Sequence, residues 1–369
     1  MDKPIRILHI IGGMYYGGKE SLLMNIYSQI DRTKIQFDFM IHSNIENELE
    51  FHKKIKEMGG KVYYINKISE VGVFKYVRSV KNIIITNGPY HAVHTHMNHQ
   101  SGLNALSARL AEVKIRISHV HSTDVGTNKN KMFLPFYRLL MNWQSTKNIA
   151  CSVKAGQYFF FKNNFKVINN GIEVDKFVYQ DIISINAMKR NLGINNEAKI
   201  IGHVGRFIRV KNHEFLINVF KEMGKYEEYV LVLVGDGPDL NKIKKLCYDL
   251  NIQDKVYFLG TRKDIHEIIS ILDLFLFPSF NEGLGTVLIE AQASGIPCIA
   301  SDTLPRDSDL GLNLIKYCSI DSISKWIKCV DAINYSDKVQ KSEIEMALKI
   351  KGFDSETTLN EFLKLYEIY

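Results

Sequence analysis

The sequence predicts an α/β protein built from two doubly wound parallel-sheet domains, and three observations carry that prediction. A strand, a glycine turn and a helix open the chain: Ile5–Ile11, then Gly12-Gly13 and Gly17-Gly18, then an amphipathic segment from Glu20 to about Ile30. The same succession returns about 195 residues later as Lys199–Val204, Gly205, a basic loop and the helical pattern Phe215–Met223. Between these openings the short apolar runs are continuous rather than alternating, as a parallel sheet covered on both faces requires.

Taken in order, the first-half runs are Ile5–Ile11, Phe37–Ile41, Lys61–Ile65, Ala92–Thr95, Ile115–Val120, Asn148–Cys151 and Phe165–Ile168. The second half adds Lys199–Val204, Val230–Val234, Val256–Leu259, Leu274–Phe277 and Pro297–Ala300. Most are bounded by Gly, Pro, Asn or Asp and separated by helix-length segments. Asn169-Asn170-Gly171 is a turn signal that opens a linker over 171–198. The expected domains are therefore 1–180 and 181–350. A closing helix over 351–369, apolar at helical spacing within 355–369, can pack back on the first domain.

A chain of 369 residues can bury an ample core, and 46% hydrophobic with 24% charged residues excludes a disordered or fibrous protein. No apolar run approaches the ~20 residues of a membrane-spanning helix. The opening MDKPIRILHIIGG reads as a first buried strand rather than a signal peptide. Cys151, Cys247, Cys298, Cys318 and Cys329 are scattered without C-x-x-C spacing, which fits reduced thiols and a cytoplasmic setting. The net charge of +7 is divided unevenly. Residues 1–170 carry 23 Lys/Arg against 11 Asp/Glu, or +12, and residues 171–369 carry 24 against 29, or −5. A nucleic-acid binder would not usually segregate charge this way, so a basic half facing an anionic surface or substrate is expected instead.

The most informative segment is 278–302, PSFNEGLGTVLIEAQASGIPCIASD, which follows a strand and opens a helix. A helix starting near Gly285 would aim its first amides at the strand ends, a ready anion site. Gly283 and Gly285 let backbone approach a ligand, and Glu290, just over a turn inside, can accept hydrogen bonds from hydroxyls. In the first half, Gly17-Gly18 precede a helix with Glu20 in its first turn. The dinucleotide fingerprint G-x-G-x-x-G is absent there, and Tyr15 and Tyr16 occupy the loop. His119 and His121 end one apolar run, and His91, His94, His96 and His99 crowd another. His94 and His96 share a strand face without Cys or carboxylate partners, which disfavours a catalytic metal.

Residues 278–302 resemble the E-x7-E signature of the retaining nucleotide-sugar glycosyltransferases of family 4, with Glu282 and Glu290 as its acids. The order of Gly205-Arg206 with Lys211, then Val234-Gly235-Asp236-Gly237-Pro238, then Phe258-Leu259-Gly260 agrees with that family. The resemblance implies the GT-B architecture: two Rossmann-like domains facing a central cleft, the donor held mainly by the C-terminal one. It implies that Arg206 and Lys211 grip the donor diphosphate, that Glu282 contacts donor-sugar hydroxyls and that Glu290 contacts the ribose. The amides of Leu284, Gly285 and Thr286 would lie near the phosphates, Arg262 near the base, Gly17 and Gly18 beside the diphosphate, and His121 against the transferred sugar.

The function this implies is retaining transfer of a hexosyl or N-acetylhexosaminyl group from a nucleoside diphosphate sugar, most often UDP-linked. The acceptor would be a glycan on a polyprenyl diphosphate lipid, in capsule, exopolysaccharide or lipopolysaccharide assembly. No metal and no cofactor are expected, since the only D-x-D, Asp307–Asp309, lies in a polar loop after the donor motif. Three alternatives stand beside this reading: a nucleotide-sugar 2-epimerase, a non-catalytic partner subunit, and a nicotinamide oxidoreductase, the last weakened by the missing fingerprint. Finally, Lys129–Lys147 mixes Lys129, Lys131, Arg138 and Lys147 with Phe133, Phe136, Leu139 and Trp143. That composition suits a helix lying on an anionic membrane surface, hence peripheral attachment at the inner face of the cell membrane.

Overall fold

The computed structural model of this chain describes residues 3–14, 17–42, 50–123, 132–161, 164–178, 181–225, 229–334 and 339–368. The chain forms two compact units, Met1–Gly171 with Ser355–Tyr369, and Ile172–Asp354. The crossing at Gly171 precedes the 180/181 boundary expected from sequence and coincides with the Asn-Asn-Gly turn.

The first unit holds β1 (Ile5–Ile11), β2 (Ile35–Ile41), β3 (Val62–Tyr64), β4 (Ala92–Thr95), β5 (Ile115–Val120), β6 (Lys147–Ala150) and β7 (Lys166–Val167). They form one sheet in the order β3-β2-β1-β4-β5-β6-β7, with every pairing parallel. β2 is buried along its whole length, which is why its sequence does not alternate. One face packs Leu22, Leu23, Ile26 and Tyr27 of the helix Gly18–Gln29 against Ile7, Phe37 and Phe39. The closing helix Ser355–Tyr366 completes that layer with Phe362 and Tyr366, both fully buried. It is pinned by bonds from Lys147 Nζ to Leu365 O and from His91 Nε2 to Tyr366 O, each 2.7 Å.

The second unit holds β8 (Lys199–Val204), β9 (Tyr229–Val234), β10 (Val256–Phe258), β11 (Leu274–Phe277), β12 (Cys298–Ser301) and β13 (Ile315–Cys318). Their order is β10-β9-β8-β11-β12-β13, again all parallel. Twelve of the thirteen strands among the described residues were legible as apolar runs. The exception, β13, is a sheet edge whose Ile315, Lys316 and Tyr317 are only half-buried, so no continuous apolar run marks it. Among the described residues, no helix is long and apolar enough to cross a membrane.

Candidate active site

In each unit the strand order reverses once: between β1 and β4 in the first, between β8 and β11 in the second. In open parallel sheets the usual ligand position is at the carboxyl ends of the strands beside such a reversal. The loops at the second unit's reversal are 205–212, with the basic residues, and 278–285, with the first half of the acidic motif.

Those two loops are laced together. Phe280 N donates to Val210 O at 2.9 Å, and Asn212 Nδ2 donates to Pro278 O at 3.2 Å. Asn212 takes the left-handed conformation, φ 55°, which lets the loop end and the helix His213–Glu222 begin. The lacing brings Lys211 Nζ to 2.7 Å from Glu282 Oε1, with the two side chains only 18% and 15% exposed. Lys211 Nζ also lies 4.9 Å from the centre of the Phe277 ring. Residues 71 positions apart thus meet as a partly dehydrated ion pair.

Arg206 stands beside this pair in sequence but is exposed, and among the described residues it forms no ion pair. Its loop is shaped by the Val234–Pro238 segment: Phe207 N donates to Asp236 O at 3.0 Å, and Gly205 N to Val234 O at 2.9 Å. Gly235 has φ +137°, and a Cβ there would fall 2.2 Å from Gly205 O. Only glycine fits. Sequence reasoning marked this segment as a motif and missed that its role is to support the cation loop; the glycines flanking Asp236 were the available signal.

Gly285, at φ +80°, precedes the helix Thr286–Ala293, with Gly283 and Leu284 buried before it. Glu290 lies in the second turn, half-buried, and burial pushes its carboxyl up to about 7. No cation offsets that shift, which leaves this acid waiting for hydrogen-bond donors. Arg262 is held differently. It forks Asp264, its Nε donating at 2.9 Å, and holds that carboxyl below the usual range. Any ligand contact by Arg262 therefore shares or displaces this bond.

At the first unit's reversal, Gly17 caps the helix Gly18–Gln29 in an extended conformation. A Cβ at Gly17 would lie 2.6 Å from Glu20 Oε2, so the buried Glu20 carboxyl occupies the space a side chain would need. Burial pushes Glu20 up, an effect partly offset by Lys19 at 3.5 Å. Tyr15 and Tyr16 lie outside the described residues. His121 follows β5, its N donating to Asn98 Oδ1 at 2.9 Å, and burial, with smaller contributions from His119 and Lys19, lowers its pKa well below the ordinary value. The glycine loop and His121 therefore share one end of one sheet.

Behind His121 the parallel register stacks histidines. His9 is opposite His94, and His94 opposite Ile117, which sets His96 and His119 side by side two residues on. Ring centres are 4.2 Å apart for His94–His96 and 4.1 Å for His119–His121. The ring nitrogens of His9, His94 and His96, and of His96, His119 and His121, fall within 4.8 Å of one another, close enough to consider a metal. The nearest pairs, however, are 2.9 and 3.1 Å apart. Nitrogens around a tetrahedral ion bound at 2.0–2.1 Å stand about 3.3 Å apart. The observed separations are those of hydrogen bonds.

The helix Leu134–Gln144 buries Met141 and Gln144 and turns Phe136, Leu139 and Trp143 outward, the last 70% exposed. Met132 and Phe133 extend the same apolar stripe. Lys129 and Lys131 lie outside the described residues.

Residues 184–308 match the family model described as glycosyl transferases group 1. Over 98% of this chain and 96% of the relative, the sequence is 36% identical to EpsF of Bacillus subtilis (strain 168), which is named as a glycosyltransferase. Over 76% of this chain and 78% of the relative it is 26% identical to an Escherichia coli enzyme. That enzyme is named UDP-Gal:alpha-D-GlcNAc-diphosphoundecaprenol alpha-1,3-galactosyltransferase. In three dimensions it is similar to HepE of Anabaena, crystallised with UDP and glucose. The TM-score is 0.79 at 18% identity, covering 98% of this chain and 99% of that one.

Proposed function

The chain belongs to the group 1 glycosyl transferases, and from that premise we propose that it moves a sugar from a UDP-sugar to a lipid-linked glycan with retention at the anomeric carbon. The observation that carries the reading is the Lys211–Glu282 pair at the strand reversal of the second unit, flanked by Arg206 and the Gly285-capped helix. Breaking a sugar–diphosphate bond builds negative charge on the leaving group. Arg206 and Lys211 stabilise that charge, and the amides of Leu284, Gly285 and Thr286 solvate the phosphates. Glu282 receives sugar hydroxyls, Glu290 the ribose hydroxyls, and Arg262 meets the base. In this reading the acceptor attacks from the leaving-group side, with the diphosphate as its proton acceptor. The E. coli relative, whose name specifies UDP-Gal and a diphosphoundecaprenol acceptor, supports both the donor and the lipid carrier as readings for this chain. The 2-epimerase alternative gains no support from any of these relatives.

Titration of a UDP-sugar panel by calorimetry tests this. Hydroxyls donate to the ionised form of Glu290, so binding must strengthen as pH rises through about 7, where its carboxyl loses its proton. Affinity at pH 6 is expected to be about tenfold lower than at pH 8. A diphosphate esterified at both ends does not titrate in this window. Glu290→Gln should abolish the pH dependence and lower affinity by about 1.5–3 kcal/mol. Wild-type affinity in that variant would overturn the ribose assignment.

Transfer is expected to proceed without a metal, because two cations and a helix N-terminus supply the charge a divalent ion would bring to the diphosphate. Activity should persist in EDTA; its loss, with recovery on adding Mg²⁺ or Mn²⁺, would refute this.

A lipid-linked acceptor places the reaction at the cytoplasmic face of a membrane. The exposed stripe Phe133, Phe136, Leu139 and Trp143, on a half-chain carrying +12, supports peripheral attachment there. Cosedimentation with anionic vesicles is expected at low salt and lost at high salt. It should also be lost when Phe133 and Phe136 become Ser and Lys129 and Lys131 become Glu. Protein that stays in the supernatant at low salt would refute attachment.

A further inference from the structure

We propose that the layer of helices Val73–Asn87, Ser101–Leu110 and Leu134–Gln144 is the face that the first unit lays on an anionic lipid surface. In it Phe74, Arg78, Lys81 and Ile85 make a second contact beside the stripe on Leu134–Gln144. Peripheral attachment through Leu134–Gln144 is the premise; the second helix and the orientation are what is added.

Each of these helices returns the chain from the end of one parallel strand to the start of the next, so all three run the same way. Ser101–Leu110 packs between the other two, with seven of its ten residues buried. On one side Tyr76 Oη donates to Asn104 Oδ1 at 2.9 Å. On the other, a Cβ at Gly102 would fall 2.7 Å from Met141 N, and Arg109 Nη1 donates to Gln144 Oε1 at 3.2 Å. The layer is therefore one packed body.

Val73–Asn87 turns Tyr76, Val80 and Ile84 inward. Phe74, Arg78, Lys81 and Ile85 are left on its other side at spacings of four, three and four. Phe74 is 94% exposed and Ile85 58%. Met132, Phe136, Leu139 and Trp143 repeat those spacings at the third helix. The opposite layer, Gly18–Gln29, Glu50–Glu57 and Ser355–Tyr366, exposes no large apolar side chain among the described residues. Charge divides the same way. The first three helices carry Lys75, Arg78, Lys81, Arg109 and Arg138 and no acid, whereas the opposite three carry five Lys against five Glu. Exposed apolar groups gathered on one face mark a contact surface. A second copy of this chain, docked by a two-fold axis, would set those five cations against themselves. Anionic headgroups neutralise them, while Phe74, Phe136 and Trp143 enter the interface. With this layer down, the sheet lies along the surface and its carboxyl edge, which carries the Gly17 loop and His121, opens sideways over it.

Tryptophan fluorescence tests the orientation, because Trp326 is fully buried in the second unit and Trp143 is exposed in the first. With vesicles of phosphatidylcholine and phosphatidylglycerol brominated in the acyl chain, Trp143 should be quenched. So should a tryptophan placed by Phe74→Trp in a Trp143→Phe background. Lys75→Glu with Arg78→Glu should weaken vesicle binding about tenfold or more. Lys53→Glu with Lys54→Glu makes the same charge change on the opposite layer and should leave binding within about twofold. If wild type binds with Trp143 quenched, but position 74 is not quenched and the Lys75/Arg78 reversal is neutral, the inference is overturned and attachment through Leu134–Gln144 stands. Equal weakening by both reversals would mean attraction without orientation and also overturns it. Wild type that fails to bind removes the attachment reading itself. Sedimentation without lipid covers the remaining occupant: a dimer that Phe74→Ser dissociates would make this face a self-contact and refute the lipid assignment.

Discussion

Lys211→Ala is expected to lower kcat about 10²–10³-fold, or about 3–4 kcal/mol of transition-state stabilisation, while changing donor affinity far less. In the unliganded protein the Lys211 ammonium is shared with Glu282 at 2.7 Å, so ground-state donor binding gains little from it. As the sugar leaves, charge accumulates on the diphosphate and outcompetes the carboxylate for the same ammonium. Only an interaction that strengthens in the transition state raises kcat. Arg206→Ala should act in the same direction on the proposed reading, in which its exposed guanidinium forks the donor phosphate. The two losses are not expected to add, because both cations oppose one developing charge. Steady-state kinetics against acceptor-saturated enzyme separates the terms. If both variants raised KM and left kcat intact, the leaving-group role would have to be withdrawn.

Gly235→Ala is expected to remove most activity while the protein stays folded. Its φ of +137° excludes a side chain, and the new Cβ would meet Gly205 O at 2.2 Å, a backbone atom that cannot step aside without moving Arg206. A displacement of about 1 Å in a positioning loop costs on the order of 100-fold in rate. Gly193→Ala is the control. It also has positive φ, +68°, but nothing lies within 4 Å of its added Cβ, so it should cost about 1–2 kcal/mol of strain and leave turnover unchanged. Circular dichroism and kcat/KM on both variants distinguish loop displacement from general destabilisation. Equal activity in the two would show that the 235–237 segment does not set the geometry of the cation loop.

How much of this was legible before the fold depended on distance along the chain. The strands at Ile5–Ile11, Ala92–Thr95, Ile115–Val120, Lys199–Val204 and Leu274–Phe277 stand where their apolar runs stand, because continuous burial leaves its mark on each residue separately. Gly285 before Thr286–Ala293 was equally readable, since a glycine turn into a helix is a local event. β13 was not, for an edge strand buries too little of itself to leave an apolar run.

The sequence by itself therefore determined the fold class, the doubled strand–turn–helix opening, and the 278–302 segment as a strand end and glycine turn leading into a helix. Tertiary structure alone decided which residues meet. Strand order put Lys211 against Glu282, 71 positions away, and parallel register lined His9 up with His96 across 87 positions and His96 with His121 across 25. It also returned Tyr366 to His94, 272 positions earlier. Periodicity records only whether a side chain is buried. Which partner it is buried against is settled by sheet register and crossover connections, and these depend on the balance of the whole core rather than on any single segment.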